Sequence, residues 1–197
     1  MSGPSILLIN GSPHREGNSM ALGRAVCMAV SDAISVERLY ELSIAPCRSC
    51  GLCACGGECP LTDDMPRLLR LVDAADVLVI SSPLHFTSLS APVIAFYSRL
   101  QPFWTGWDAM RSRSNGGRRR FGALAVTAGG SYRNMFSPAR SVTAAVFNTL
   151  AIDFVGMTTA SDTDALPVRE NRVALDEAKA LGGRLRELCI AAHTDSE

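Results

Sequence analysis

The stretch VLVISSP, residues 77–83, contains the clearest strand signal in this chain of 197 residues. Four consecutive aliphatic residues, without polar residues between them, are typical of a strand that is buried on both faces of a sheet. The two serines and the proline that follow predict that this strand ends at Ile80. Because such a strand needs helices above and below it, the stretch favours an α/β fold.

Strand and helix patterns alternate on either side of this stretch. Further strands are predicted at residues 6–9, 36–39, 122–127 and 152–158. Helices are predicted at residues 20–31, 66–72, 90–100 and 138–150 and from Arg172 onward. Five strands and five helical segments in alternation predict a five-stranded parallel sheet with helices on both faces. We find no repeat or linker that divides the chain, so we expect one domain over residues 1–197.

Composition and charge argue against several classes of protein. The formal net charge is zero, which argues against binding to nucleic acid or to a membrane through bulk charge. No apolar run approaches the length of a membrane span, and the N-terminus lacks the basic start and cleavage site of a signal peptide. Seven cysteines in a chain that is not exported are typical of the reducing cytoplasm, where we expect the protein to be.

Three loops follow predicted strands, where ligands of open parallel sheets collect. The first, Gly11–Ser19, leads into a helix whose N-terminus attracts anions. It lacks both the P-loop ending and the dinucleotide fingerprint, so its Ser, Asn and Arg15 side chains suit one phosphate monoester. The second, residues 82–91, offers backbone groups and the aromatic ring of Phe86 to a flat heterocycle. The third, residues 128–131, lets backbone approach a ring closely at its glycines. Ordinary turns and helix caps are the alternative for each loop.

Five cysteines lie within thirteen residues, and four of them read C-x2-C-x2-C-x5-C: Cys47, Cys50, Cys53 and Cys59. Three thiolates at this spacing can hold one corner of an iron–sulfur cube while the fourth closes the site, which favours a [4Fe–4S] cluster. Zinc sites more often have two CxxC pairs a dozen or more residues apart. Reduced cysteines that pack or do redox work, zinc and disulfides stay open as alternatives.

Taken together, four stretches resemble the flavodoxin-like NAD(P)H-dependent FMN reductases, and most of all their iron–sulfur flavoprotein branch. These stretches are INGSPHREGNS at 9–19, IAPCRSCGLCACGGECPLTDDM at 44–65, VLVISSPLHFTSLSAPVIAFYSRL at 77–100 and TAGGS at 127–131. The resemblance implies a flavodoxin-like FMN-binding domain with a cysteine-rich insert at 47–59 and the same four cysteines as cluster ligands. The residues that it implies for the FMN phosphate are Ser12, Arg15, Asn18 and Ser19. Those that it implies for the isoalloxazine ring are Pro83, Leu84, His85, Phe86, Thr87, Ser88, Gly129 and Gly130.

The expected function follows from this resemblance. An FMN-dependent oxidoreductase would take electrons from NAD(P)H and pass them through FMN, and through a [4Fe–4S] cluster, to an unknown acceptor. His85 stands where the family often has an aromatic residue, and its imidazole is our candidate catalytic proton or hydrogen-bond donor beside the flavin. The alternatives are a clusterless FMN or quinone reductase and a non-catalytic electron carrier.

Two further segments are relevant to the oligomeric state and to recognition of the nicotinamide nucleotide. The resemblance suggests flavin sites at subunit contacts, and the large aromatic residues 103, 104 and 107 need cover, so we expect a homodimer or homotetramer. We expect the basic run at residues 111–120 to be a solvated loop, although recognition of the NADPH 2′-phosphate is the alternative.

Overall fold

The computed structural model of the chain describes residues 3–105 and 118–194, which build a sheet with helices on both sides. The strands are β1 (Ile6–Asn10), β2 (Ile34–Arg38), β3 (Val77–His85), β4 (Ser88–Leu89), β5 (Phe121–Thr127) and β6 (Asp153–Ala160). The helices are α1 (Asn18–Met28), α2 (Met65–Ala74), α3 (Ala91–Ser98), α4 (Gln101–Thr105), α5 (Ser137–Thr149) and α6 (Arg172–Thr194). Two short 3₁₀ helices, Leu39–Glu41 and Leu52–Cys55, lie between β2 and α2.

The sheet has the strand order β2-β1-β3-β5-β6, and these five strands are parallel to one another. The short strand β4 pairs antiparallel with the end of β3. The strand order reverses between β1 and β3, as it does in flavodoxin-like folds, and this reversal is where such folds bind their ligands. The predicted five-stranded parallel sheet with helices on both faces is confirmed.

Successive residues of the central strands supply two separate cores. On β1, Leu7 and Ile9 pack in a cluster with α2, α3 and α5, whereas Ile6 and Leu8 pack in a second cluster with α1 and α6. Strand β3 divides in the same way, since side chains alternate between the two faces of a strand. Burial on both faces explains why these strands read as unbroken apolar runs.

The contact between α1 and α6 depends on a single glycine. A Cβ atom at Gly182 would collide with the backbone oxygen of Val26, whereas a Cβ at the neighbouring Gly183 would meet nothing within 4 Å. We therefore expect Gly182→Ala to lower the free energy of unfolding by about 1–3 kcal/mol, because backbone must move to make room. Gly183→Ala should raise it by up to ~1 kcal/mol, because alanine favours a helix. Denaturant unfolding of the two variants tests this, and equal effects would contradict it.

Several element boundaries differ from the sequence predictions, and the end of β3 differs most. Strand β3 does not end at Ile80, because residues 81–83 continue to pair with residues 125–127 of β5. The helix predicted over residues 90–100 is α3, which ends at Ser98, and a separate short helix, α4, follows it. Pro102 explains this break, since its ring would clash with the carbonyl of Ser98 in one continuous helix.

The expectation of a solvated basic loop is wrong for Arg120, which is only 1% exposed. Its guanidinium donates hydrogen bonds to the backbone carbonyls of Val72, Ala75 and Leu150, at the C-terminal ends of α2 and α5. These carbonyls have no partner within their own helices, so Arg120 joins two helix ends. Arg111, Arg113 and Trp107 lie outside the described residues. Of the other two aromatic residues, Phe103 is buried and Trp104 is 59% exposed.

Candidate functional site

Buried hydrogen bonds hold the loop after β1 against the middle of β3 and the end of β5. The Asn10 amide donates to the Ser81 hydroxyl at 2.7 Å, and the Gly11 N–H donates to the Ser81 carbonyl at 2.8 Å. In the first turn of α1, the Ser19 hydroxyl lies 2.7 Å from that of Thr127. These contacts fix the loop beside the reversal in strand order. Asn10, Ser81 and Thr127 were not among the site residues predicted from the sequence, although each is a polar residue directly after an apolar run.

The loop from Gly11 to Ser19 has its own internal bonds. The Ser12 N–H donates to the Asn10 side-chain oxygen at 3.1 Å, and the His14 N–H donates to the Ser12 hydroxyl at 3.2 Å. The Asn18 side-chain oxygen accepts the N–H of Val168 at 2.9 Å, so its NH₂ group is the part that can donate to a ligand. No acidic residue lies in the first turn of α1. The hydroxyl, amide and helix N-terminus together suit a phosphate.

Charged side chains around this loop also favour an anion. Arginines outnumber carboxylates among the ion pairs here, which join Glu16 or Glu41 to Arg15, Arg24, Arg38 and Arg169. Arg15, which the resemblance assigns to the phosphate, lies 2.8 Å from Glu41 and has a side chain that is 73% exposed. An exposed ion pair of this kind is worth little energy, so Arg15 can exchange its partner at small cost.

The ends of β3 and β4 form a hairpin with a strained turn. Phe86 and Thr87, its two central residues, have φ angles of 50° and 67°. Turns of this kind normally use Asn-Gly, because both residues need a left-handed conformation that a β-branched residue rarely adopts. The Phe86 side chain is fully exposed at the tip. The sequence predicted a loop here and not a hairpin, because Phe-Thr is not a typical turn sequence. Strain of this kind clusters at functional sites.

The loop after β5 is held by the segment that follows β6. The Thr163 N–H donates to the Ala128 carbonyl at 3.0 Å. A Cβ at Gly129 would lie 2.5 Å from the Asp164 carboxylate, whereas one at Gly130 would meet nothing within 4 Å. A side chain at Gly129 would therefore displace the Asp164 carboxylate, while Gly130 leaves backbone open to a ligand.

His85 lies at the edge of an open groove of about 760 Å³. The groove runs between the β3–β4 hairpin, α3 and the segment of residues 39–46 that leads to the cysteines. Most of its lining is apolar, with polar groups from Tyr40, His85, Ser88 and Ser98. His85 is exposed and opposite Ser88 in the hairpin. The structure thus places the candidate catalytic residue beside the residues that the resemblance assigns to the ring. It also lies in one groove with Pro46, the residue before the cysteine segment (residues 47–59).

The five clustered cysteines lie on a loop that is largely exposed. Gly51 and Gly56, which flank the 3₁₀ helix Leu52–Cys55, both have a left-handed backbone conformation and turn the chain at each end of this helix. Within residues 3–105 and 118–194, no three His, Cys, Asp or Glu side chains are grouped as they would be around a metal ion. The donor set itself, four cysteines on one accessible loop, is the one that iron–sulfur clusters use.

The remaining two cysteines belong to the core. Cys27 on α1 and Cys189 on α6 are buried. Burial raises the pKa of Cys27 to about 12 and that of Cys189 to about 11. They therefore stay protonated at neutral pH, and we assign them to packing.

Both ends of the cysteine segment are fastened to the C-terminal end of α3. The Ser98 hydroxyl accepts the N–H of Cys47 at 3.0 Å. Arg99 donates to the Ala45 carbonyl at 2.9 Å, to the Asp63 carboxylate at 2.5 and 3.2 Å, and to the Cys59 sulfur at 3.4 Å. The side chains of Arg99 and Asp63 are each only 4% exposed. Burial opposes ionisation of Asp63, but hydrogen bonds from Arg99 and from two backbone N–H groups lower its pKa overall.

The fold and the three loops define a flavodoxin-like protein with a candidate flavin site at the carboxyl ends of β1, β3 and β5. Residues 4–162 match the family model of NADPH-dependent FMN reductases, so the chain belongs to that family.

Individual relatives carry a more specific name. An iron–sulfur flavoprotein of Methanocaldococcus jannaschii is 31% identical over 114 residues, which are 56% of this chain and 58% of the relative. An iron–sulfur flavoprotein of Archaeoglobus fulgidus is 35% identical over 98 residues, which are 48% of this chain and 44% of the relative. The chain thus spans about half the length of these relatives.

Solved structures show the same fold. A flavone reductase superposes with a TM-score of 0.71 at 14% identity, covering 94% of this chain and 62% of that protein. The NAD(P)H:quinone oxidoreductase from Methanothermobacter marburgensis superposes with a TM-score of 0.67 at 16% identity, covering 93% of this chain and 96% of that one. In the described part of this chain, no helix has both the length and the apolar character needed to span a bilayer.

Proposed function

We propose that this protein is an oxidoreductase that binds FMN and reduces it with NAD(P)H. The observation that carries the proposal is the set of buried hydrogen bonds that tie the first loop and its flanking residues to β3 and β5 at the reversal in strand order. They join Asn10 and Gly11 to Ser81, and Ser19 to Thr127. When bound, FMN supplies the chemistry, because it accepts two electrons as a hydride and can release them singly. The protein binds the cofactor, orients its ring and limits access to it.

The first loop is proposed to hold the FMN phosphate. The proposed donors are the backbone N–H groups of the first turn of α1 and the side chains of Ser12, Arg15, Asn18 and Ser19. Because the loop offers one phosphate site and the chain lacks a dinucleotide fingerprint, we expect FMN to bind in preference to FAD.

The hairpin and the glycine loop are proposed to hold the isoalloxazine ring, with Pro83, Leu84, His85, Phe86, Thr87, Ser88, Gly129 and Gly130 as its residues. The exposed imidazole of His85 can give a proton or a hydrogen bond to a ligand beside the hairpin. Strain at Phe86 and Thr87 supports a functional role for this turn.

We further propose that Cys47, Cys50, Cys53 and Cys59 hold a [4Fe–4S] cluster. The four thiols on one exposed loop and the names of the relatives support this proposal. A cluster carries one electron at a time, so together with the flavin it would let the protein convert two-electron reduction into one-electron transfer.

Anaerobic stopped-flow mixing with NADH or NADPH tests the reductase proposal. FMN-loaded protein should lose its flavin absorbance at a rate that rises and saturates with nucleotide concentration. A flavin that stays oxidised with both nucleotides, and yet is reduced by dithionite, would favour the non-catalytic electron carrier. Iron and sulfide analysis of anaerobically purified protein separates a cluster-containing reductase from a clusterless FMN or quinone reductase.

The oligomeric state, the cellular location and the binding partners are also proposals. We propose a homodimer or homotetramer, which the exposed Trp104 supports and which light scattering of FMN-loaded protein at micromolar concentration would test. A cytoplasmic location, an acceptor of electrons and the absence of nucleic-acid and membrane partners likewise stay predictions.

A further inference from the structure

The cysteine segment is exposed over most of its length, yet both of its ends meet at one buried side chain. Arg99 caps the C-terminal end of α3 and is 5% exposed. Its guanidinium contacts Ala45, two residues before Cys47, and it contacts Cys59 and Asp63 at the other end of the segment. The Arg99 side chain therefore spans the start and the end of the thirteen residues that carry the thiols.

Neighbouring contacts extend this attachment. The Asp63 carboxylate, which Arg99 holds, also accepts the N–H groups of Ala45 at 3.2 Å and of Met65 at 3.0 Å. The adjacent Ser98 hydroxyl holds the N–H of Cys47. Burying a charged pair is costly, and a structural attachment alone could be made with neutral groups. A planar cation with five donors can instead reach a carbonyl, a carboxylate and a sulfur at once.

We propose that Arg99 is a positioning residue for the iron–sulfur cluster, fixing the separation of Cys47 and Cys59 and donating a hydrogen bond to the Cys59 sulfur. This inference rests on the proposed cluster in the segment of residues 47–59. A hydrogen bond to a ligand sulfur stabilises the more negative, reduced state of a cluster and so raises its reduction potential.

Two variants of the full-length protein test this role. Arg99→Lys keeps the positive charge but loses the forked donors. The double variant Arg99→Gln with Asp63→Asn removes both charges, so no unpaired charge stays buried and the local net charge is unchanged. Arg67→Gln is the matched control, because Arg67 makes a forked ion pair with Glu37 on β2 at 2.5 and 2.8 Å.

Hydrogen exchange of the iron-free protein gives the first measurement. In both Arg99 variants, amide exchange in residues 45–63 should become about tenfold faster, as expected for the loss of one charged hydrogen bond. Exchange in residues 11–19 should not change, and Arg67→Gln should leave residues 45–63 as in the wild type. Unchanged exchange in residues 45–63 of both Arg99 variants would overturn the proposal.

A redox titration of the reconstituted protein gives the second measurement. Both Arg99 variants should show a lower midpoint potential for the cluster, whereas Arg67→Gln should not. A role confined to fold stability would change the unfolding midpoint and leave the potential unchanged, and that result would overturn the proposed sulfur contact. If the wild-type protein holds no iron after reconstitution, the cluster proposal itself fails, while the exchange measurement still decides whether Arg99 fixes the segment.

Discussion

Serine in place of Cys47, Cys50, Cys53 or Cys59 is expected to remove nearly all iron from anaerobically reconstituted protein. Each change takes away one of the four thiolates that the proposed cluster needs, and a serine hydroxyl is a poor ligand for an iron–sulfur centre. FMN should stay bound, because the proposed flavin loops after β1, β3 and β5 are separate from the cysteine segment. Iron, sulfide and flavin content of each variant are the measurements.

Two other cysteines provide controls for this experiment. Cys55 is exposed at the end of the 3₁₀ helix Leu52–Cys55, one residue from Cys53, and Cys55→Ser should keep its iron. Cys27 is buried on α1, so Cys27→Ser reports on stability and not on the cluster. If reconstituted wild-type protein shows no broad absorption beyond the flavin bands, the cluster proposal is wrong. Iron loss from Cys55→Ser with iron retained in Cys53→Ser would reassign the ligand.

The sheet could be predicted because each central strand is recognisable from its own short run of apolar residues. Val77–Ile80 and Ile6–Ile9 are apolar on both faces, and any strand of that composition needs cover from two layers of helices. The three candidate ligand loops were predicted by the same reasoning, since parallel strands bring their carboxyl ends to one edge. The order of the strands and the place of the reversal come from the structure.

The contacts that the sequence did not predict are those between distant residues. Arg120 reads as one member of a basic run, but the ends of α2 and α5 give it carbonyl acceptors that only the folded chain brings together. No local pattern around Arg99 predicts that it is buried, but Asp63 and the cysteine segment cover it. The turn at Phe86 and Thr87 opposes local preference outright. In each case the tertiary structure overrides a local tendency, and two of the three lie at candidate functional sites.

The change Asn18→Asp is expected to weaken FMN binding roughly 100-fold, while the affinity for riboflavin stays within about threefold. The resemblance places Asn18 at the FMN phosphate, and its oxygen already accepts the N–H of Val168. Aspartate keeps that oxygen acceptor and nearly the same shape, but it replaces the NH₂ donor with a negative charge. The variant therefore loses one charged hydrogen bond and gains repulsion with the phosphate, and riboflavin, which has no phosphate, should not sense either change. Fluorescence titration of the apoprotein with both flavins measures this.

Stability separates this effect from damage to the fold. An aspartate in the first turn of α1 interacts favourably with the helix dipole, so Asn18→Asp should unfold at or slightly above the wild-type denaturant midpoint. Ser35→Ala, on β2, is the control and should change neither flavin affinity. Equal losses for FMN and riboflavin would mean that the substitution disturbs the ring site and not a phosphate contact. Unchanged FMN affinity would remove Asn18 from the proposed phosphate site. The remaining proposed donors would then be the backbone N–H groups of the α1 N-terminus and the side chains of Ser12, Arg15 and Ser19.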